Sequence, residues 1–205
     1  MCDSSVFQEG ERAMYLTFHH AEATLGLEKP WGRITDLIET NRNWTAGIDL
    51  LCYCHQTDFE TGVNGCAKLR QELGLNEVMP ISVGQSGSLS LSNALTLLDW
   101  MFNSVTKNHA LCVIADSFIP DHMDKQGSCL SMTALIGVST MAGDYRVESC
   151  RKLPSTNVKA GAKSAVEPIL KLGLHQSEFT SDLEMEVVTF DAGVFGASQL
   201  KLRRT

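Results

Sequence analysis

The sequence has no surplus of basic charge. Seventeen Lys and Arg stand against 24 Asp and Glu, a net charge of −7, so the clustered cations that a general nucleic-acid surface requires are missing. No apolar run reaches membrane-spanning length and no charged-then-apolar leader opens the chain, which predicts a soluble, cytoplasmic protein with neither nucleic acid nor membrane as partner. Repeats, low-complexity tracts and linkers are also lacking over the 205 residues. A single domain spanning 1–205 is therefore expected. Seven cysteines form an odd set without regular spacing, and several fall inside apolar runs, which fits reduced, buried thiols better than disulfides. A metal centre lacks its ligands: Cys52-x-Cys54-His55 has no second pair at finger spacing, and the adjacent His19 and His20 have no companions four residues away. No metal and no cofactor are expected. The one basic cluster, Lys201-Leu202-Arg203-Arg204, reads as a solvated tail.

What is present is an ordinary globular composition, 43% apolar and 20% charged, with one stretch that organises the rest. Met79 to Val83 reads as a strand, Gly84-Gln85-Ser86-Gly87-Ser88 as a tight turn, and Leu89 to Val105 as a helix. Along that helix Leu91, Ala94, Leu95, Leu98, Met101, Phe102 and Val105 recur at three- and four-residue spacing, and Leu89 and Leu97 add apolar surface elsewhere. The spacing predicts a buried central helix. Ser88 stands at its head, where unpaired amide N–H groups and the helix dipole favour developing negative charge. Two readings stay open there: Ser88 caps the helix, as serine does well, or it is a nucleophile.

The remaining elements follow in order. Met14, Phe18, Ala21 and Leu25 predict a helix from Glu11 to about Leu27, and a short helix follows around Ile34 to Glu39. Ile48 to Cys54 and Ala110 to Asp116 are nearly continuous apolar runs, the signature of strands covered on both faces. A helix over Gly62 to Leu73, ended by Gly74, separates the first of these from the central unit. Ser131 to Thr140 and Tyr145 to Ser149 are expected to pair as a hairpin. A helix from about Lys159 to Leu172 contains Pro168, which kinks it or marks a later start. Glu184 to Phe190 reads as a last strand, and Asp191 to Leu200 as a glycine-rich loop. Strand, helix, strand, long helix, strand is the order of a layered α/β fold.

These pieces resemble the thiolase-fold condensing enzymes, and within them β-ketoacyl-acyl-carrier-protein synthase III and its relatives in secondary metabolism. The likeness rests on Ile48-Asp49-Leu50-Leu51, on the Leu69 to Leu75 stretch, on Ile81 to Ser88 with Asn93-Ala94-Leu95, and on Ala110 to Asp116, so residues 1–145 resemble the family's first half. Residues 150–200 resemble part of the second half, through Leu153 to Asn157, the Leu172-Gly173-Leu174 helix end and Asp191 to Ser198. The resemblance implies a shortened thiolase-like layered fold. It places Ser88 where the family has its acyl-carrying cysteine, and Gly87, Asn157, Gly193 and Phe195 at substrate-binding positions. It also places Pro154 or Ser155, and Gly193, where the family has histidines, and finds no counterpart of the usual first strand.

The departures change the chemistry. A cysteine at a helix start ionises near neutral pH, whereas a serine must give its proton to a neighbouring base. The resemblance assigns no base, and His55, His109, His122 and His175 are placed by no motif. It therefore implies a degenerate synthase-like protein, a non-condensing partner or acyl-holding subunit, with an acyltransferase using Ser88 as the alternative. An acyl carrier protein or a coenzyme A thioester is the implied small partner. The implied assembly is a homodimer, or a heterodimer with a synthase-like subunit, joined along Ala110 to Asp116 or the strand near Met79 to Val83.

Overall fold

A computed structural model describes residues 12–26, 30–55, 65–84, 86–104, 106–118, 129–153, 164–175, 185–191 and 196–205. Eight strands form one mixed sheet: β1 (Tyr15–Gly26), β2 (Leu50–His55), β3 (Met79–Val83), β4 (His109–Phe118), β5 (Cys129–Ser139), β6 (Tyr145–Leu153), β7 (Met185–Asp191) and β8 (Ala197–Arg204). Their order is β3-β2-β4-β5-β1-β6-β8-β7. Among the described residues four α-helices accompany them: α1 (Pro30–Thr40), α2 (Gly65–Glu72), α3 (Ser90–Ser104) and α4 (Val166–His175).

The expected strands over Ile48 to Cys54, Pro80 to Val83 and Ala110 to Asp116 share this sheet. β2 runs parallel to both β3 and β4, with Cys52 opposite Ile81 on one side and Cys112 on the other. The two-residue period of a strand explains why Leu50 to Cys54 of β2 and Ala110 to Ala115 of β4 are apolar throughout, since each face meets a different helical layer. Leu50, Cys52 and Cys54 join Ala110, Cys112 and Ile114 in the core under α3. Leu51 and Tyr53 join Leu111, Val113 and Ala115 in a second core with Ile34, Ile38 and Leu69 of α1 and α2. Gly74 ends α2 at φ +68°, a left-handed position that lets the Leu75 N–H donate to Arg70 O at 2.9 Å.

The sheet folds over at one seam. β1 pairs with β5 along its whole length but meets β6 only through Tyr15–Arg146 and Leu16–Tyr145. Beyond the seam β6, β8 and β7 turn back over α3 and α4. α3 packs on β2 and β3 from one side and on β6 and β8 from the other, and α4 lies between β1, β4 and β5 and β7. The layers are α1/α2, five strands, α3/α4, three strands. Among the described residues no helix covers the outer face of the last layer, where Met185 and Val187 are exposed. Nine of the fifteen α3 residues are buried, and its solvent contact is a stripe through Thr96, Trp100 and Asn103.

Four expectations are overturned. The segment predicted as a helix over Glu11 to Leu27 is β1, so a long first strand is present after all. The Tyr145 strand is not a hairpin partner of β5, because β1 lies between them. The basic tail and part of the glycine-rich loop are β8, whose Leu200 and Leu202 are buried and whose Arg203 guanidinium meets Glu148 at 3.1 Å. Ala110 to Asp116 lies inside the sheet, paired on both sides, and is not an edge available for association.

Candidate functional site

The strand-to-helix turn lies at the carboxyl end of β3. Gly87 adopts φ +56°, a conformation with little penalty only for glycine, and opens a single 3-10 turn over Gly87–Leu89 that runs into α3. Ser88 sits within that turn and is 1% exposed. Ser86, just ahead, bonds its own loop, its hydroxyl donating to Gly84 O at 3.1 Å. One residue past the turn Ser90 is wholly buried, and its Oγ has no hydrogen-bond partner. A buried hydroxyl without a partner costs about 1–3 kcal/mol. It is therefore a place where an incoming polar group would be welcomed.

The neighbouring strand delivers His55 to the same turn. Parallel pairing sets Cys54 opposite Val83, so the next residue, His55, comes to lie over Gly84. Its imidazole stacks on Tyr53 with centroids 5.1 Å apart, and Nε2 is 3.2 Å from Ser82 Oγ. Nδ1 is buried without a partner. A Cβ at position 84 would fall 2.4 Å from His55 Cε1, so glycine is required there for the ring to sit. Sequence reading left His55 unplaced; the signal was its register one step beyond the Cys54–Val83 pair, visible only once β2 and β3 are known to run parallel.

A second helix start reaches the same edge of the sheet. Asp116, near the carboxyl end of β4, is fully buried and accepts the Ser164 hydroxyl at 2.5 Å and the Ala165 N–H at 3.2 Å. Ser164 Oγ in turn accepts the Val166 N–H at 3.0 Å. This carboxylate and hydroxyl satisfy the free amides that begin α4. Pro168 falls in the first turn of α4, consistent with a later helix start and not with a kink. Two helices thus open toward the carboxyl ends of β3 and β4.

Beneath α3 lie three thiols. Cys52 and Cys54 approach each other to 3.9 Å, and hydrogen bonding with Cys112 together with complete burial holds both well above the ordinary thiol range. They are packing groups, as the sequence suggests. No cluster of three or more metal-ligating side chains occurs among the described residues. His19 stacks on Trp44 and His20 meets Glu22 at 3.4 Å, on β1 and away from any helix pair.

Of the residues expected at the site, Ser88 and Gly87 are together at the head of α3. Asn157, Gly193 and Phe195 lie outside the described residues, as do Gln85, Pro154, Ser155 and His122. His109 begins β4, at the opposite end of the parallel strands from Ser88, and His175 closes α4.

No family profile matches the sequence, and no curated protein does. Solved structures do match. A 3-oxoacyl-[acyl-carrier-protein] synthase III from Aquifex aeolicus VF5 superposes with a TM-score of 0.59 at 9% identity, covering 95% of this chain and 99% of that one. The fold is that of the thiolase-like condensing enzymes. An OleA variant from Xanthomonas campestris gives a TM-score of 0.57 at 10% identity, over 84% of this chain and 79% of the other. ChlB3, described as an acyltransferase, gives 0.53 at 14% identity, over 80% and 67%. Identities this low establish the thiolase-like, synthase-III-like architecture and leave the chemistry to the site's own residues. No helix among the described residues is long and apolar enough to cross a membrane.

Proposed function

We propose that this chain is a synthase-III-like protein of acyl or secondary metabolism that does not itself condense, and that holds or positions an acyl group as the partner of a synthase-like subunit. The observation that carries the reading is Ser88. The turn keeps a left-handed glycine, a buried side chain at a helix head and orphaned polar atoms close by, yet it presents a hydroxyl where thioester chemistry without a strong base needs a thiolate. The positions that carry histidines in the resembling enzymes are Pro154 or Ser155 and Gly193. An acyl carrier protein or a coenzyme A thioester is the proposed source of the acyl group. Cytoplasmic location and a single domain are part of the same reading.

A second reading has one observation in its favour. His55, with a buried and unpartnered Nδ1, packs against Gly84 in the loop that carries Ser88. As an acyltransferase the chain would use Ser88 Oγ to attack a thioester carbonyl, expel the thiol and pass its proton through a base to the departing sulfur, then deliver the acyl group to an acceptor. Intact-protein mass spectrometry after incubation with acyl-thioesters separates the two. The first reading expects no covalent adduct and no condensation product; an adduct that disappears in Ser88→Ala would replace it with the second.

The proposed assembly is a dimer through β3, with a second copy or with a synthase-like subunit. β3 is an outer strand of the sheet with Met79 48% exposed, and an unpaired apolar edge invites a further strand.

A further inference from the structure

A cavity of about 110 Å³ opens between α3 and the β6–β8 pair, starting one helical turn beyond Ser88 and on the far side of α3 from β2 and β3. Its walls come from Ser92, Asn93 and Thr96 of α3, and from Cys150, Arg151, Lys152 and Ser198 of β6 and β8. The pairing explains how these meet. Cys150 lies opposite Leu200 and Lys152 opposite Ser198, and alternation along each strand turns all four toward α3. Arg151, between them, also borders the cavity, and its guanidinium donates to Gln199 Oε1 at 3.1 Å.

Three of the polar side chains of the cavity are already engaged. Ser92 Oγ donates to Leu89 O at 3.0 Å, Thr96 Oγ1 to Ser92 O at 2.9 Å, and Cys150 Sγ to Ser92 O at 3.7 Å. These bonds engage the Ser92 and Thr96 hydroxyls and the Cys150 thiol within the protein itself. Ser198 is different: it is 2% exposed, it lines the cavity, and its Oγ has no partner. Lys152, on the same face, is solvent-exposed at the rim. Burial pushes the Cys150 thiol up to about 11, so it carries no negative charge near neutral pH. The Asp99 carboxylate, which adds to that rise, takes the Asn103 amide at 3.3 Å.

We propose that this cavity is a binding site for a short-chain monocarboxylate, with the carboxylate between the Lys152 ammonium and the Ser198 hydroxyl and the alkyl end against Thr96 and Cys150. The volume sets the size class. A 150 Å³ cavity takes a benzene ring, so 110 Å³ holds roughly four to five non-hydrogen atoms. Propionate fits that count, and a long acyl chain does not. The Lys152 cation sets the charge class, and the Ser198 hydroxyl can donate to a carboxylate oxygen.

The test is a calorimetric or ligand-observed NMR titration of the intact protein with propionate, with propanamide as the neutral isostere. Saturable propionate binding with a Kd on the order of millimolar is expected. Propanamide and the Lys152→Met variant should each bind about tenfold more weakly, and Ser198→Ala about fivefold. Lys152→Met alters an exposed side chain and leaves the fold intact, which a thermal melt checks. Should Ser198→Ala fail to fold, Lys152→Met and the propanamide comparison still decide. Absence of saturable binding up to about 50 mM, or binding that neither the amide nor Lys152→Met weakens, overturns the proposal and leaves the cavity to water.

Discussion

Replacing Gly84 with Ala tests whether the His55 ring closes the turn. The added Cβ would lie 2.4 Å from His55 Cε1 and 2.5 Å from Nε2, well inside carbon–carbon contact. Gly84 is not among the glycines with positive φ, so alanine meets no backbone strain there and the whole cost is the collision. To make room the imidazole must leave Ser82 and Tyr53. Loss of the 3.2 Å contact to Ser82 costs about 0.5–1.5 kcal/mol, and loss of the 5.1 Å stack on Tyr53 about the same. The sum is about 1–3 kcal/mol, equivalent to a fall in Tm of roughly 2–12 °C for a chain of this length. A double-mutant cycle measured by urea unfolding isolates the effect. In a His55→Ala background Gly84→Ala should cost less than about 0.5 kcal/mol. Equal costs in both backgrounds would refute the collision and with it the placement of His55 over the turn.

Further outcomes follow from the same geometry. Asp116→Asn removes the charge from the carboxyl that accepts Ser164 and Ala165 and should lower stability by about 1.5–3 kcal/mol; a change below about 0.5 kcal/mol would show that this cap contributes nothing. Cys150 is held up to about 11 against an ordinary value of 9.0. The folded chain keeps that proton while the unfolded chain releases it, so stability is full below pH 9 and falls toward pH 11 by about 1.4 kcal/mol per unit. Cys150→Ala should flatten the alkaline slope of denaturant-derived stability by that amount, and an unchanged slope would contradict the burial argument. Light scattering at micromolar concentration should give a dimer, and a stable, cooperatively unfolding monomer would remove the partner-subunit reading.

How much was legible in the sequence depended on how many faces each element buries. β2 and β4 are buried on both faces, so their apolar runs could only be interior strands, and α3 declared itself by its breadth of apolar surface. β1 misled because of a single irregularity. Met14, Leu16 and Phe18 alternate inward, but the register shifts between Phe18 and His20, and the next inward residue is Ala21. A bulge turned a two-residue step into a three-residue one, and the resulting Met14, Phe18, Ala21, Leu25 spacing imitates a helix. β8 was hidden by its outward face: Lys201 and Arg203 alternate with buried Leu200 and Leu202, and a half-exposed strand with a basic face reads as a tail. At the candidate site, the placement of Ser88 and Gly87 in the turn was legible from its composition, whereas that of His55 and Asp116 was not. Both arrive from distant sequence, by parallel register and by a helix cap, and neither leaves a local pattern. The cavity under α3 had no sequence signal, because it depends on Lys152 and Ser198 meeting across β6 and β8.

The seam at β1 bears on how the chain reaches this state. β1 and its partner, paired from Tyr15–Ser139 to Gly26–Cys129, are separated by on the order of a hundred residues, so loop closure must be completed before that pairing is rewarded. Until β5 arrives, the Leu16 and Phe18 face of β1 has no neighbour, and such strands are open to mispairing. The second layer depends on a short seam, because β6 pairs with β1 only at Tyr15–Arg146 and Leu16–Tyr145 and β8 must then dock on β6. α3 is therefore covered on its second side only once β6 and β8 have docked. A change that slows β8 docking would leave the Ser88 helix half-wrapped, with rate of maturation, rather than final stability, as the quantity that suffers.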